Sequence, residues 1–188
     1  MPPRVKVTKE DVINASLDIV RKDGAEAINA RNIASFLSCS TQPIFSNFES
    51  MDELRLAVIT KANELFSEYM EREIKLGEFP AYKASGMAYI RFAKEEKELF
   101  KLLYMRDRSG ENLDEDKSLN DRMEATVHQN TGLDSERSKL FHLEMWAIVH
   151  GIATMSASGF LDLDRDLISK MLTDAYQGLK KQYEVPKE

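Results

Sequence analysis

Residues 28–54, INARNIASFLSCSTQPIFSNFESMDEL, constrain the fold more than any other part of the chain. Asn29 stands where an N-cap is expected before a short helix over residues 30–37, and Ser38-Cys39-Ser40 reads as a turn. A second short helix is expected over residues 41–47, with Pro43 in its first turn, where the missing N–H costs little. Ser50 and Glu53 then have the spacing of a capping box and open a much longer helix. Two short helices about a tight turn, with a capped helix behind them, make a helix-turn-helix. Its second short helix has the right size to lie in a DNA major groove.

The remainder also reads as helical. A first helix is expected from Thr8, with Asp11 three residues on; Ile13, Leu17 and Val20 form its inner face, and Asp23-Gly24 ends it. The helix opened at Ser50 should run to Leu76 and stop at Gly77. Beyond Pro80, helices are expected over residues 81–95 and on towards Arg106. A polar loop follows over residues 107–116, then helices over 117–130, 134–158 and from Asp164 to about Tyr183. Glycines mostly fall where helices should stop; Gly86 is an exception. No repeat, low-complexity tract or strand pattern interrupts this, so the expected fold is all-α with about nine helices. A three-helix helix-turn-helix domain is expected over residues 6–54 and a helical body over 55–185. The boundary inside a long helix implies two parts that move as coupled bodies.

A hydrophobic fraction of 43% and a charged fraction of 31% are those of a globular chain able to bury a core. No apolar leader and no run of about 18 apolar residues is present, so a membrane span is not expected. The lone Cys39 fits a reducing compartment. Together these give a cytoplasmic expectation. The net charge of −6 is distributed unevenly. Residues 1–48 carry six Lys/Arg against five Asp/Glu, with no acid before Glu10, so the acidity belongs to the body. A basic arm at Arg4 and Lys6 can reach a DNA backbone or minor groove despite the overall charge.

Ile33, Ala34, Leu37, Ile44 and Phe48 are spaced to form a small core, which leaves Thr41, Gln42, Ser46 and Asn47 outward. These short polar groups suit base edges and phosphates, and glutamine pairs bidentately with adenine. Asn29 and Arg31, at the start of the preceding helix, are placed for phosphate contacts.

Residues 8–60 resemble the N-terminal domain of TetR/AcrR-family transcriptional regulators. The family's "IA" pair, "GVS"-like turn, "LYYHF"-like recognition helix and "SKEEL" correspond to four segments here. They are Ile33-Ala34, Ser38-Cys39-Ser40, Ile44-Phe45-Ser46-Asn47-Phe48 and Ser50-Met51-Asp52-Glu53-Leu54. Three departures matter. The glycine of the turn is Ser38; the customary tyrosine is Phe45, without a hydroxyl for phosphate; the customary lysine is Met51. Arg55, one turn later, is a substitute cation. Fewer phosphate contacts and a shallower salt dependence than is usual for the family are therefore expected.

In the body, Trp146-Ala-Ile-Val-His150-Gly151 resembles the Trp…His-Gly signature of one subgroup of such C-terminal domains. Trp146 and His150 lie four residues apart on one helix face, and Gly151 allows a close helix crossing. The middle helices are rich in aromatics and methionine, a pattern that ordinary core packing also produces. The resemblance implies an effector cavity, and Phe66, Met70, Tyr89, Phe92, Tyr104, Trp146, His150 and Met155 are its candidate lining, favouring an apolar or aromatic small molecule. In the last helix Ile168, Leu172, Ala175 and Leu179 form a seam for helix packing. The resemblance implies that the last two helices pair with their mates in a homodimer, hence a palindromic operator.

The expected function is a DNA-binding repressor released by such an effector, with a helical adaptor that has lost DNA binding as the alternative. An enzyme is not expected. The chain lacks a GxSxG elbow, a P-loop and a Gly-rich dinucleotide turn, and His128, His142 and His150 are not spaced as a metal site. No cofactor or metal is expected.

Overall fold

The structure, a computed structural model, describes residues 7–106 and 114–184. Among the described residues it is all helical. Nine α-helices are present: α1 Lys9–Asp23, α2 Ala30–Phe36, α3 Gln42–Asn47, α4 Met51–Leu76, α5 Ala81–Glu95, α6 Lys97–Tyr104, α7 Asp114–Thr131, α8 Ser135–Ala157 and α9 Arg165–Glu184. A single 3-10 turn, Ala25–Ala27, joins α1 to α2. The loop expected at residues 107–116 lies mostly outside the described residues. Helix α7 starts at Asp114, three residues before its expected start, through residues whose polarity reads as loop.

The chain divides into two compact units. The first holds the residues up to Glu68 together with Glu96–Arg106; the second holds Tyr69–Glu95 and the residues after Arg106. Helix α4 contributes to both.

In the first unit α1 packs on α2, α3 and α6. Its core is Val12, Leu17, Ile19 and Val20 from α1, with Ile28, Ile33, Ala34, Ile44, Phe48, Leu54, Val58, Leu99 and Phe100. The expected inner face is thus present, except that Ile13 is only half-buried while Val12 is sealed. Reciprocal hydrogen bonds cap α1: the Asp11 N–H donates to Thr8 Oγ1 (3.1 Å), and the Thr8 N–H donates to Asp11 Oδ2 (2.8 Å). The box at α4 is closed differently. The Glu53 N–H donates to Ser50 Oγ (3.1 Å), but the Glu53 carboxylate reaches one residue further back, to the Glu49 N–H (2.7 Å). Its other oxygen holds Lys9 Nζ at 2.9 Å.

Helix α2 ends in a Schellman arrangement. The Cys39 N–H donates to Ala34 O (2.9 Å) and the Ser38 N–H to Ser35 O (3.1 Å), which places Ser38 at φ +51°. A left-handed residue carrying a Cβ costs roughly 1–2 kcal/mol, which explains why a glycine is usual here. Ser38→Gly is expected to raise the first unit's stability by up to ~1 kcal/mol, after glycine's greater freedom in the unfolded chain is offset. Ser38→Val should lower it. Urea midpoints of the two variants against the parent check both signs.

In the second unit α5, α7 and α9 pack on α8. Phe141, Met145, Val149, Ile152 and Ala153 of α8 are buried, as are Met87, Tyr89, Ile90 and Phe92 of α5. Gly86 marks a close approach: a Cβ there would lie 3.3 Å from both Leu172 Cδ1 and Val149 Cγ2. This accounts for a glycine inside a helix.

Candidate functional site

Helix α3 owes its orientation to Ile44 and Phe48, which are sealed in the first unit's core. Its opposite side presents Gln42, Phe45 and Ser46 to solvent, with Thr41 half-exposed at its start. The polar residues expected to read DNA differ in what they are free to do. The Ser46 hydroxyl donates to Gln42 O (2.9 Å). Asn47 is part-buried, and its amide donates to Pro43 O (2.7 Å) and to Val7 O (3.3 Å). Asn47 therefore ties the chain preceding α1 to the second helix of the motif, a cross-link with no local sequence signal. Asn29 caps α2: its Oδ1 accepts from the Arg31 N–H (3.1 Å) and the Asn32 N–H (2.9 Å), and its Nδ2 donates to Ala27 O (3.3 Å). The side chains of Thr41, Gln42 and Arg31 have no internal partner among the described residues and are the groups most available to a ligand.

Arg55 is exposed and pairs with Asp52 at 3.0 Å. Met51, half-buried, brings no charge to the start of α4. Lys9 is committed to Glu53 and lies over the Phe48 ring, 4.6 Å from its centroid. Arg4 and Lys6 lie outside the described residues.

The expected effector-lining residues fall into both units. Phe66 and Tyr104 belong to the first, meeting edge to face at 5.9 Å, with Phe100 stacked obliquely on Tyr104 at 5.2 Å. Met70, Tyr89, Phe92, Trp146, His150 and Met155 belong to the second. There Phe92 is sealed and meets Tyr69 edge to face at 5.3 Å, while Met70 and Met155 are half-buried. Trp146 stacks flat on His150, with centroids 4.8 Å apart and planes 11° apart. His150 Nδ1 hydrogen-bonds the Tyr89 hydroxyl at 3.0 Å.

A second tyrosine–histidine rung parallels this one. Tyr82 Oη and His142 Nδ1 are 2.9 Å apart, and His142 Nε2 is buried without a hydrogen-bond partner. The pairing of tyrosines with histidines escaped the sequence reading, which placed His150 in the effector lining and weighed His142 only as a metal ligand. Its signal is the two-turn periodicity shared by Tyr82/Tyr89 on α5 and His142/His150 on α8.

Burial holds both histidines below the ordinary value of 6.5 and pushes the Tyr82 hydroxyl up. The unfolded chain therefore binds more protons than the folded one as pH falls through 6.5, so the rungs contribute stability above that pH and lose it below. Trp146, the chain's single tryptophan, reports this directly, because an imidazolium stacked on indole quenches its emission. Native emission is expected to hold through pH 6.5 and fall only at lower pH. Tyr89→Phe should move the midpoint, and His150→Gln should abolish the transition.

A sequence model described as "Tetracyclin repressor-like, C-terminal domain" matches residues 82–176. The chain belongs to the TetR family of transcriptional regulators. Solved structures share its fold. A TetR-like transcriptional regulator from Rhodococcus sp. RHA1 superposes with a TM-score of 0.70 at 19% identity, covering 95% of this chain and 98% of that one. A putative TetR-family regulator from Vibrio parahaemolyticus gives 0.64 at 14% identity, covering 90% and 97%. The multidrug binding protein EbrR, complexed with imidazole, gives 0.56 at 16% identity, covering 93% and 96%. No curated protein matches the sequence. Among the described residues, no helix is long and apolar enough to cross a membrane.

Proposed function

We propose that the protein is a homodimeric, DNA-binding repressor released from a palindromic operator by a small apolar or aromatic effector, and that it performs no catalysis. The observation that carries the DNA reading is the outer side of α3, where the side chains of Thr41 and Gln42 stand without internal partners among the described residues in a chain of this family. Arg31, Arg55 and the basic arm at Arg4 and Lys6 supply the phosphate contacts. A mobility-shift assay with the DNA upstream of the chain's own gene tests it. A saturable, sequence-specific shift supports the reading, and its absence would favour a helical adaptor.

Met51 leaves the backbone grip weak in charge, and Phe45 leaves it without a hydroxyl. The log–log slope of affinity against salt is expected to be shallow and to steepen by about 0.9 in Met51→Lys for each phosphate regained. An unchanged slope in that variant would remove the argument.

The dimer reading rests on what α8 and α9 leave uncovered. Leu140, Leu143, Ala147 and Gly151 recur at 3-4-4 spacing on the outer side of α8, and nothing lies within 4 Å of where a Gly151 Cβ would be. On α9 the expected seam faces inward: Ile168 and Leu172 are buried, and Ala175 and Leu179 pack around the second unit's core. The outer positions are Leu167 and Met171, one residue earlier. A second copy is the partner these stripes fit.

For the effector, the tyrosine–histidine rungs and the stacked Trp146 offer aromatic faces beside polar groups, and one structure of this fold holds imidazole. An effector that releases the operator should also change Trp146 emission.

A further inference from the structure

We propose that α3 reads an adenine–thymine step, with the Gln42 amide on adenine and the Phe45 ring against the C5-methyl of a neighbouring thymine. The inference rests on the DNA-binding reading above and names the base pairs that reading leaves open.

Residues 38–54 contain no Lys or Arg, so the commonest guanine contact, a cation on O6 and N7, is unavailable from the turn, from α3 or from the first turn of α4. The N–H and O–H donors of Ser46 and Asn47 are spent on Gln42, Pro43 and Val7 carbonyls. Asn29 has its acceptor Oδ1 spent on the α2 cap and one amide hydrogen on Ala27. Gln42 keeps both its donor and its acceptor, the pair that adenine N7 and N6 demand.

Phe45 supplies the second half. It is 55% exposed, whereas its neighbours Ile44 and Phe48 already fill the core, so packing inside the chain does not explain its ring. It lies three residues after Gln42 and four after Thr41, on the same side of the helix. Without a hydroxyl it cannot bond a phosphate. The apolar group that the major groove offers is the thymine methyl. Side chains three apart on a helix lie about 5–6 Å from one another, and successive bases rise about 3.4 Å, so Gln42 and Phe45 span adjacent pairs.

The test uses the full chain. Binding sites are selected from a randomised duplex pool, and each thymine of the selected site is replaced in turn by deoxyuridine, which removes only the methyl. Anisotropy titrations are expected to show a thymine in each half-site whose replacement weakens binding about fourfold, the worth of one buried methyl. Phe45→Ala should bind more weakly and no longer distinguish thymine from uracil there, and Phe45→Leu should retain part of the discrimination. Gln42→Ala should relax the adenine preference at the adjacent position. A selected site without thymine dependence, or a G·C core under α3, overturns this inference and leaves the DNA-binding reading intact. A pool with no enrichment overturns both.

Discussion

Replacing Leu143 with arginine is expected to convert the protein to a monomer and to weaken operator binding by at least ~100-fold, the loss that follows when two linked reading heads bind separately. Leu143 is 57% exposed and sits mid-stripe between Leu140 and Ala147, so within a single chain the arginine meets only solvent. Facing a second copy, two such arginines would meet across the two-fold axis with their charges desolvated, which a hydrophobic interface does not tolerate. Light scattering gives the mass and circular dichroism the fold. A helical monomer is the expected outcome. Leu56→Arg, equally exposed on α4, is the control and should remain dimeric. A Leu143→Arg protein that stays dimeric, or a parent chain already monomeric at micromolar concentration, would overturn the assignment of this face. Gly151 provides a second reading of the same surface. Alanine in an open helical position ordinarily stabilises by about 1 kcal/mol. If a partner helix crosses there, Gly151→Ala should instead weaken the dimer, and its melting temperature should depend more steeply on protein concentration.

Much of the fold was legible because its signals are local. Asn29 and Thr8 cap the helices they were expected to cap, and Pro43 and the interruption at Ser38 place α3. What was hidden depends on contacts distant in sequence. Nothing in residues 97–104 says which unit will take them, yet α6 packs on α1, and Arg21 binds Glu96 through both Nε (2.9 Å) and Nη2 (3.0 Å). The seam at Ile168 and Leu172 was visible as a period, but a period does not say whether the partner is the same chain or a second one. The reading site shows the same limit. Its polar residues were identified by type, but whether Ser46, Asn47 and Asn29 have donors left for DNA depends on carbonyls that only the folded backbone brings near. Phe45 read from sequence as a missing hydroxyl; its exposure makes it a ring in need of an apolar partner.

A large loss of stability from a single partly exposed side chain is expected in Arg165→Met. Glu73, near the end of α4, is 1% exposed, and its charge is met from two sides. Arg165 Nη2, at the start of α9, lies 2.5 Å from Oε1, and Arg91 Nη1, on α5, lies 3.7 Å from Oε2. That second approach is too long for a hydrogen bond, and Oε2 has none. Arg165 therefore provides the close contact to a carboxylate with no access to water, while its guanidinium also reaches Glu78 at 2.6 Å and lies over the Phe79 ring. Removing one partner of a buried pair typically costs ~3–5 kcal/mol. Arg91 remains and Arg165 is partly solvated, so ~2–3 kcal/mol is expected here, a fall of roughly 5–10 °C in melting temperature. Glu73→Leu together with Arg165→Met should recover most of that loss, because it removes the stranded charge as well as its partner. A cycle of the two single variants and the double measures the coupling. Additive losses would mean that Arg165 acts through Glu78 and Phe79, and that Glu73 is held by Arg91. A strong coupling would mean that α4, the one helix shared by both units, is fastened within the second by a single buried carboxylate and the residue that opens α9.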